Sequence, residues 1–336
     1  MELLNTTPNP PAAVSVLESR YCTLCGPEAA KNVKFAPRFR EEDLNAEIFS
    51  ARRSPDRCHF RLVECGRCGI IYSDPACDPG RLARLYEEGL VNYGTQEEQI
   101  YQSYAPILDR ALPQVGNRGT FLEIGGGAGF MLRYGVEHGF ARQIEIEPSA
   151  DAERRFRAPG AQARFIRGIF TQGALPPGSV SFACFFQMLD HVPDPRRFLA
   201  DVYEVLEPGG IAVCVTHNTR AWSARLLGER SPIYDIEHTY LFNPDNMEKL
   251  FAQAGLEPVE SFGVANRYAL KYWANLAPLP RPAKKLLLPT LEIVGLGNLP
   301  IRLRAGNFGI VGRKGGPPSP TPGAANPAGR PGERPR

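Results

Sequence analysis

Thr120–Phe130 reads TFLEIGGGAGF: a short apolar run, an acid, then glycines at 125, 127 and 129, and beyond them a stretch with helical spacing. Phe121, Leu122 and Ile124 suit a strand buried on both faces. Gly125, Gly127 and Gly129 leave no Cβ where the backbone must turn sharply and a ligand must approach closely. A helix expected from Ala128 to His138 then points free backbone N–H groups at that ligand. Taken alone, the glycines also suit a tight strand-to-helix turn that holds nothing.

The neighbouring residues narrow the choice. A dinucleotide fingerprint needs Gly-x-Gly-x-x-Gly, whereas here the third glycine comes one residue early and Arg133 and Tyr134 follow. That spacing argues against a pyrophosphate ligand. Arg142–Ile146 (RQIEI) reads as a second strand ending in Glu147, about twenty residues after the glycines, where an acid can accept both hydroxyls of a ribose.

Four segments in order carry a family resemblance: FLEIGGGAGF, IEIEPS, LPPGSVSFACFFQMLDHVPDP and VLEPGG. From about Phe121 to Ala212 the chain resembles the class I S-adenosylmethionine-dependent methyltransferases. The resemblance implies an α/β, doubly wound, Rossmann-like seven-stranded sheet. It also implies that Glu123 and the loop Gly125, Gly127 and Gly129 hold the amino-acid end of S-adenosylmethionine, and that Glu147 holds its ribose. Ile169 and Phe170 would border the adenine, and Gln187 and Met188 would line the site at the end of the fourth strand. The acids that the family often has near Ile169 and Ser181 are absent.

Length and composition set outer bounds. At 336 residues with 43% hydrophobic content, the chain has room for one large or two modest domains. No apolar run approaches the ~20 residues that span a bilayer, and the N-terminus has neither a basic start nor a long apolar core, so a cytoplasmic protein without a membrane partner is expected. Of the net charge of +3, the stretch Arg313–Arg336 supplies +4, from five basic residues against Glu333, which leaves the remainder near −1. A near-neutral body argues against nucleic acid as partner.

Taken in order, residues 1–19 are Pro-rich and expected to be loose. A small N-terminal zinc ribbon is expected over 20–78, because Cys22-Thr-Leu-Cys25-Gly26 and Cys65-Gly-Arg-Cys68-Gly69 form two matching CxxCG knuckles separated by 39 residues. Four thiolates satisfy a tetrahedral structural Zn2+ with no open position. A thioredoxin-like site needs a single CxxC opening a helix, and a reducing compartment disfavours disulfides. Cys58, Cys77, Cys184 and Cys214 lack such spacing, and His59 is at most a spare ligand.

The methyltransferase domain is expected over 79–313. Asp78-Pro79 opens a helix through Glu88 with Leu82 and Leu85 inward. A second helix, Gln96–Leu112, carries Ile100, Tyr104, Ile107, Leu108 and Ala111 on one face and is expected to pack beside the cofactor site. Strands follow at Ala163–Ile166, Val180–Phe186 and Ile211–Thr216. Asp194 and Asn243 cap helices that begin with Pro195 and Pro244. A sixth strand is expected over Pro258–Val264 and an antiparallel last strand over Asn307–Val311, with 265–303 between them long enough for a helical lid or for a pairing surface in a homodimer. Residues 314–336 are rich in Pro and Gly and expected to be disordered.

Methyl transfer from a sulfonium mainly requires alignment, with a base only for a poorly nucleophilic oxygen or carbon. The histidines near the expected strand ends are His191, His217 and His238. His191 follows Asp190 where the family commonly has a histidine after an acid, and it either acts in catalysis or orders its loop. The run SPIYDIEHTYLFNPDN resembles a segment of deoxysugar C-methyltransferases, which also carry an N-terminal zinc domain. Glu237 and His238 match the Glu-His pair of that segment, which the resemblance implies serves deprotonation at carbon, so both are catalytic candidates and His238 is either a base or acceptor contact or a residue that orders its loop; Ile236 stands where the segment's first histidine would be. Tyr234, Tyr240 and Trp222 are either pocket or core aromatics.

These residues point to an S-adenosylmethionine-dependent methyltransferase acting at O or C of a small-molecule or sugar-bearing acceptor. The alternatives are an RNA methyltransferase whose ribbon grips nucleic acid, and a non-catalytic scaffold that retains the fold.

Overall fold

The computed structural model describes residues 17–40, 44–50, 57–91, 97–277 and 279–315. The expectations for 1–16 and for 316–336 lie outside the described residues. The N-terminal strands are β1 (Leu17–Glu18), β2 (Lys31–Phe35), β3 (Leu62–Cys65), β4 (Ile71–Ser73) and β5 (Ala76–Cys77), followed by helices α1 (Pro79–Glu88) and α2 (Glu97–Ala111). Then come β6 (Thr120–Ile124), α3 (Leu132–Glu137), β7 (Arg142–Glu147), α4 (Ala150–Arg155), β8 (Ala163–Arg167), β9 (Val180–Phe186), α5 (Pro195–Val205) and β10 (Leu206–His217). The chain continues through α6 (Trp222–Leu227), β11 (Tyr240–Leu241), α7 (Pro244–Gln253), β12 (Leu256–Ala269), α8 (Leu270–Leu276), α9 (Arg281–Ile293) and β13 (Pro300–Lys314).

Seven strands form one sheet in the order β12-β13-β10-β9-β6-β7-β8. The five from β6 to β10 run parallel, and β13 pairs antiparallel with both β10 and β12. This is the Rossmann-like methyltransferase arrangement. The strand order reverses between β6 and β9, and in such sheets the crevice for a ligand opens at the carboxyl ends of the strands at that point.

Side-chain alternation divides the core between the two faces of the sheet. Leu122, Ile124, Ala183, Phe185 and Cys214 meet α5 and α7 on one face. Phe121, Phe182, Cys184 and Val213 meet α2 and α3 on the other. Asp78, Asp194 and Asn243 each accept a bond from the backbone N–H three residues on, and Asn243 completes a reciprocal capping box with Asn246.

Several local expectations are corrected. The helix after the glycines begins at Leu132, because Gly127–Met131 is a run of turns. Pro208-Gly209-Gly210 does not separate α5 from the fifth strand by a loop; β10 starts at Leu206 and shifts register between Leu206 and Ile211. The last two strands are longer than their apolar cores, since β12 and β13 stay paired from Leu256↔Lys314 to Ala269↔Pro300. Helices α8 and α9 lie at the far end of that ribbon.

A second sheet, β11-β4-β3-β2, joins the N-terminal module to the body. Tyr240 pairs with Tyr72 and Leu241 with Ile71. Tyr240 also stacks on Tyr72 and donates to the Tyr21 carbonyl at 2.8 Å. The segment just after Glu237 and His238 is therefore an edge strand of the sheet that carries Cys65. Among the described residues, no helix is long and apolar enough to cross a membrane.

Candidate functional site

The glycine loop is built on buried carboxylates. Glu123 and Glu145 are register partners on β6 and β7, and both are buried. Glu123 accepts from the Met131 N–H at 2.9 Å, Glu145 from Gly126 N–H at 2.8 Å, and Glu147 from Gly127 N–H at 3.3 Å and Ser149 N–H at 3.0 Å. Burial pushes Glu123 up to about 8 against the hydrogen bond it makes with Glu145, and burial together with the charges of Glu123 and Glu147 pushes Glu145 well above the usual carboxylate range; burial also raises Glu147. Gly125, Gly127 and Gly129 have φ of +69°, +65° and +80°, a region that a Cβ disfavours. At Gly125 a Cβ would also come within 2.5 Å of Met188 Cγ.

Above this loop lies a cavity of about 430 Å3, in the range of small-molecule sites. Of the residues expected to hold the cofactor, Gly125, Gly127, Glu147, Ile169, Phe170, Gln187 and Met188 line it. Glu123 and Gly129 do not: Glu123 lies beneath Gly126 and holds the loop from below, and Gly129 faces Leu132 and Phe156. Gln187 is distinctive because its φ is +54° and both atoms of its side-chain amide are buried without a hydrogen-bond partner. A buried, unpaired amide on a cavity wall calls for a polar ligand.

Two helices reach the cavity wall, α5 through Arg197, Phe198 and Asp201, and α1 through Pro79, Leu82, Ala83 and Tyr86, α1 standing on the side where the sequence placed α2. The apolar face of α2 instead packs on β12, where Ile100, Tyr104, Ile107 and Leu108 share a cluster with Val264 and Tyr268. Tyr86 was missed from sequence; its spacing of four from Leu82 was the available signal.

His191 and Glu237 line the same cavity, whereas His238 stands behind it. His191 Nδ1 is 2.9 Å from the Tyr86 hydroxyl. His238 is buried, with Nδ1 2.7 Å from the Ile233 carbonyl, and its ring lies 5.0 Å from that of His191 and 4.7 Å from that of His217. Burial and then His217 lower the His238 pKa, so its ring is neutral near pH 7. All three imidazoles surround fully buried Asp190. Burial alone would raise that carboxyl, but His217, His191 and His238 together outweigh it and hold Asp190 below the usual carboxylate range. Tyr234 and Tyr240 are core aromatics, and Trp222, at 67% exposed, does not line this cavity.

The four knuckle cysteines converge, with sulfurs all within 4.8 Å of one another and Cys22 Sγ 3.5 Å from Cys68 Sγ. Tetrahedral thiolates about 2.3 Å from an ion stand ~3.8 Å apart, so the cluster fits a small zinc site. Its two halves are alike: Gly26 and Gly69 have φ of +79° and +73°, and each donates its N–H at 2.9 Å to the carbonyl of the first cysteine of its knuckle. The contact with Cys68 draws the Cys22 thiol down to about 6. Cys58, Cys77, Cys184 and Cys214 are buried elsewhere, and His59 bonds the Phe60 carbonyl and Glu229 rather than the cluster.

Residues 96–261 match the family described as "Methyltransferase domain". This stretch is a methyltransferase domain. The chain is 31% identical over 127 residues to an uncharacterized methyltransferase of Mycobacterium sp. (strain JLS), a match that covers 36% of this chain and 48% of the relative. It is 30% identical over 95 residues to a ubiquinone biosynthesis O-methyltransferase of Dinoroseobacter shibae, covering 26% and 38% respectively. The chain thus spans less than half the length of these relatives. Among solved structures, a putative methyltransferase from Bacillus halodurans is similar at 17% identity and a TM-score of 0.48, over 63% of this chain and 99% of that one.

Proposed function

We propose that this methyltransferase domain moves the methyl group of S-adenosylmethionine to an oxygen or carbon of a small hydroxylated or sugar-bearing acceptor in the cytoplasm. The observation that carries the reading is Gln187, whose buried amide has no protein partner and borders the same cavity as Gly125, Gly127 and Glu147. When bound, the cofactor supplies an electrophilic methyl whose C–S bond breaks as the bond to the acceptor forms, leaving S-adenosylhomocysteine.

The residues of the chain then orient and deprotonate. Glu147 meets the ribose hydroxyls, the loop N–H groups and Gln187 meet the amino-acid end, and Ile169 and Phe170 flank the adenine. Glu123 acts one layer down, by fixing the loop through Met131. Tyr86 orients His191 through its Nδ1, and the acceptor proton passes to His191 or to the Glu237 carboxylate, both on the cavity wall. His238 takes no direct part in this reading, because His191 and Glu237 line the cavity and His238 does not. Oxygen as the acceptor atom is supported by the O-methyltransferase named among the relatives. The four cysteines would hold a structural Zn2+ that fixes β4 and, through it, the Glu237 segment.

The test is transfer of labelled methyl from S-adenosylmethionine to a panel of phenols and nucleotide sugars, with RNA as a parallel substrate. Label in a phenol or sugar that is lost in Glu237→Gln and in His191→Ala supports the proposal. Label only in RNA would replace it with the nucleic-acid reading.

A further inference from the structure

We infer that Asp190, His217 and His238 form a second metal site, distinct from the four cysteines, for a divalent first-row ion that prefers nitrogen and oxygen. Three separate elements bring these residues together. Asp190 lies in the short 3-10 turn Leu189–His191 after β9, His217 ends β10, and His238 precedes β11. Their ligating atoms all lie within 4.8 Å of one another. His217 Nδ1 is 2.5 Å from Asp190 Oδ2, and His238 Nε2 is 3.9 Å from the same oxygen. His191 Nε2 lies 3.9 Å from Asp190 Oδ1, on the cavity side of the three.

Two further features distinguish this from a chance meeting of polar groups. The far nitrogen of the His238 ring is already engaged, Nδ1 lying 2.7 Å from the Ile233 carbonyl. An outer partner on one ring nitrogen orients a ligating imidazole, and because a carbonyl can only accept, it leaves His238 Nε2 with the lone pair. The second feature is Asp190 Oδ1, buried and without a hydrogen-bond partner, in a residue with no exposed surface. Such an atom is costly unless something positive reaches it.

Donors ~2.1 Å from an ion stand about 3.0–3.4 Å apart, so the 3.9 Å separation of His238 from Asp190 must close by roughly half an ångström and the 2.5 Å hydrogen-bonded separation of His217 from Asp190 must open by a similar amount. The ion would take the place of the proton shared between His217 and Asp190, which leaves to solvent as the metal enters. Imidazole and carboxylate together suit Zn2+, Fe2+, Co2+ or Ni2+, and two histidines with one carboxylate leave coordination positions open. His191, on the cavity wall, marks the side on which an acceptor oxygen would meet the ion.

Co2+ is the probe. The full chain is stripped with chelator and titrated with Co2+, because tetrathiolate cobalt shows intense sulfur-to-metal charge transfer and nitrogen/oxygen cobalt does not. The expected result is an equivalent without charge transfer in addition to the thiolate one. His217→Ala and Asp190→Asn should each weaken that equivalent at least tenfold and leave the thiolate signal intact. Wild-type protein that binds cobalt only with the thiolate signature would overturn the inference whether or not the variants fold. So would a non-thiolate equivalent that survives both substitutions. The readout is metal stoichiometry and spectrum, so it stands apart from methyl transfer.

Discussion

Gly126→Ala isolates the contact on which the cofactor loop rests. Gly126 does not need a positive φ, but a Cβ there would fall inside the van der Waals surface of the Glu123 carboxyl. Glu123 is only 4% exposed and cannot swing into solvent, so it must abandon the 2.9 Å bond from Met131 N–H. A hydrogen bond is worth about 0.5–1.5 kcal/mol net, and overpacking adds roughly 1–3 kcal/mol, giving a cost on the order of 1.5–4.5 kcal/mol. Part of it should appear as lost stability in urea denaturation. The rest should appear as displacement of the Gly126 and Gly127 N–H groups from Glu145 and Glu147, weakening S-adenosylmethionine binding by roughly tenfold or more, since tenfold is about 1.4 kcal/mol. Gly209→Ala is the control, because Gly209 has φ +77° with nothing within 4 Å of its Cβ position; it should cost only the ~1–2 kcal/mol of left-handed strain and leave binding unchanged. Wild-type stability and affinity in Gly126→Ala would refute the packing argument.

Three further outcomes follow from the same geometry. Glu145→Gln keeps the acceptor for Gly126 N–H and removes a buried ionisable group whose pKa is raised in the folded state. Such a group favours folding fully below its unfolded pKa, near 4.5, and loses that contribution as pH rises toward its folded value. The variant should therefore gain stability over wild type in denaturation at pH 8 relative to pH 4.5, and a constant difference would contradict the assignment. Tyr86→Phe removes the bond to His191 Nδ1, so methyl transfer should fall about tenfold, the kinetic equivalent of ~1.4 kcal/mol, with cofactor affinity unchanged by calorimetry. Cys22→Ser or chelation should speed amide exchange at Tyr240 and Leu241 as well as in the knuckles, because these residues pair with β4; exchange changes confined to 22–26 and 65–69 would show the module to be uncoupled.

Features of the site that depend on short-range pattern were legible in the sequence. The glycines, Glu147 and the capped starts at Asp78, Asp194 and Asn243 declare themselves within a few residues, because turn conformation and caps are local requirements. What escaped depends on distant partners. β11 has two residues and no pattern of its own, and it exists because β4 offers an edge. Asp190 and His217 lie 27 residues apart and meet only because β9 and β10 end side by side. The polar face of β7 gave a different difficulty: Glu145 reads as an outward residue by alternation, yet it faces Glu123 in the interior. Pro300–Arg304 lacks apolar alternation and extends β13 only because β12 runs beside it.

The central claim is that the cavity above Gly125 and Gly127 binds S-adenosylmethionine through Glu147. Isothermal titration calorimetry of zinc-replete full-length protein with S-adenosylmethionine and S-adenosylhomocysteine, beside Glu147→Ala, tests it most directly. One-to-one binding in about the micromolar range by wild type, weakened at least tenfold (~1.4 kcal/mol) in the variant, is the predicted result. No heat of binding from folded wild-type protein, or equal affinity in Glu147→Ala, would contradict it.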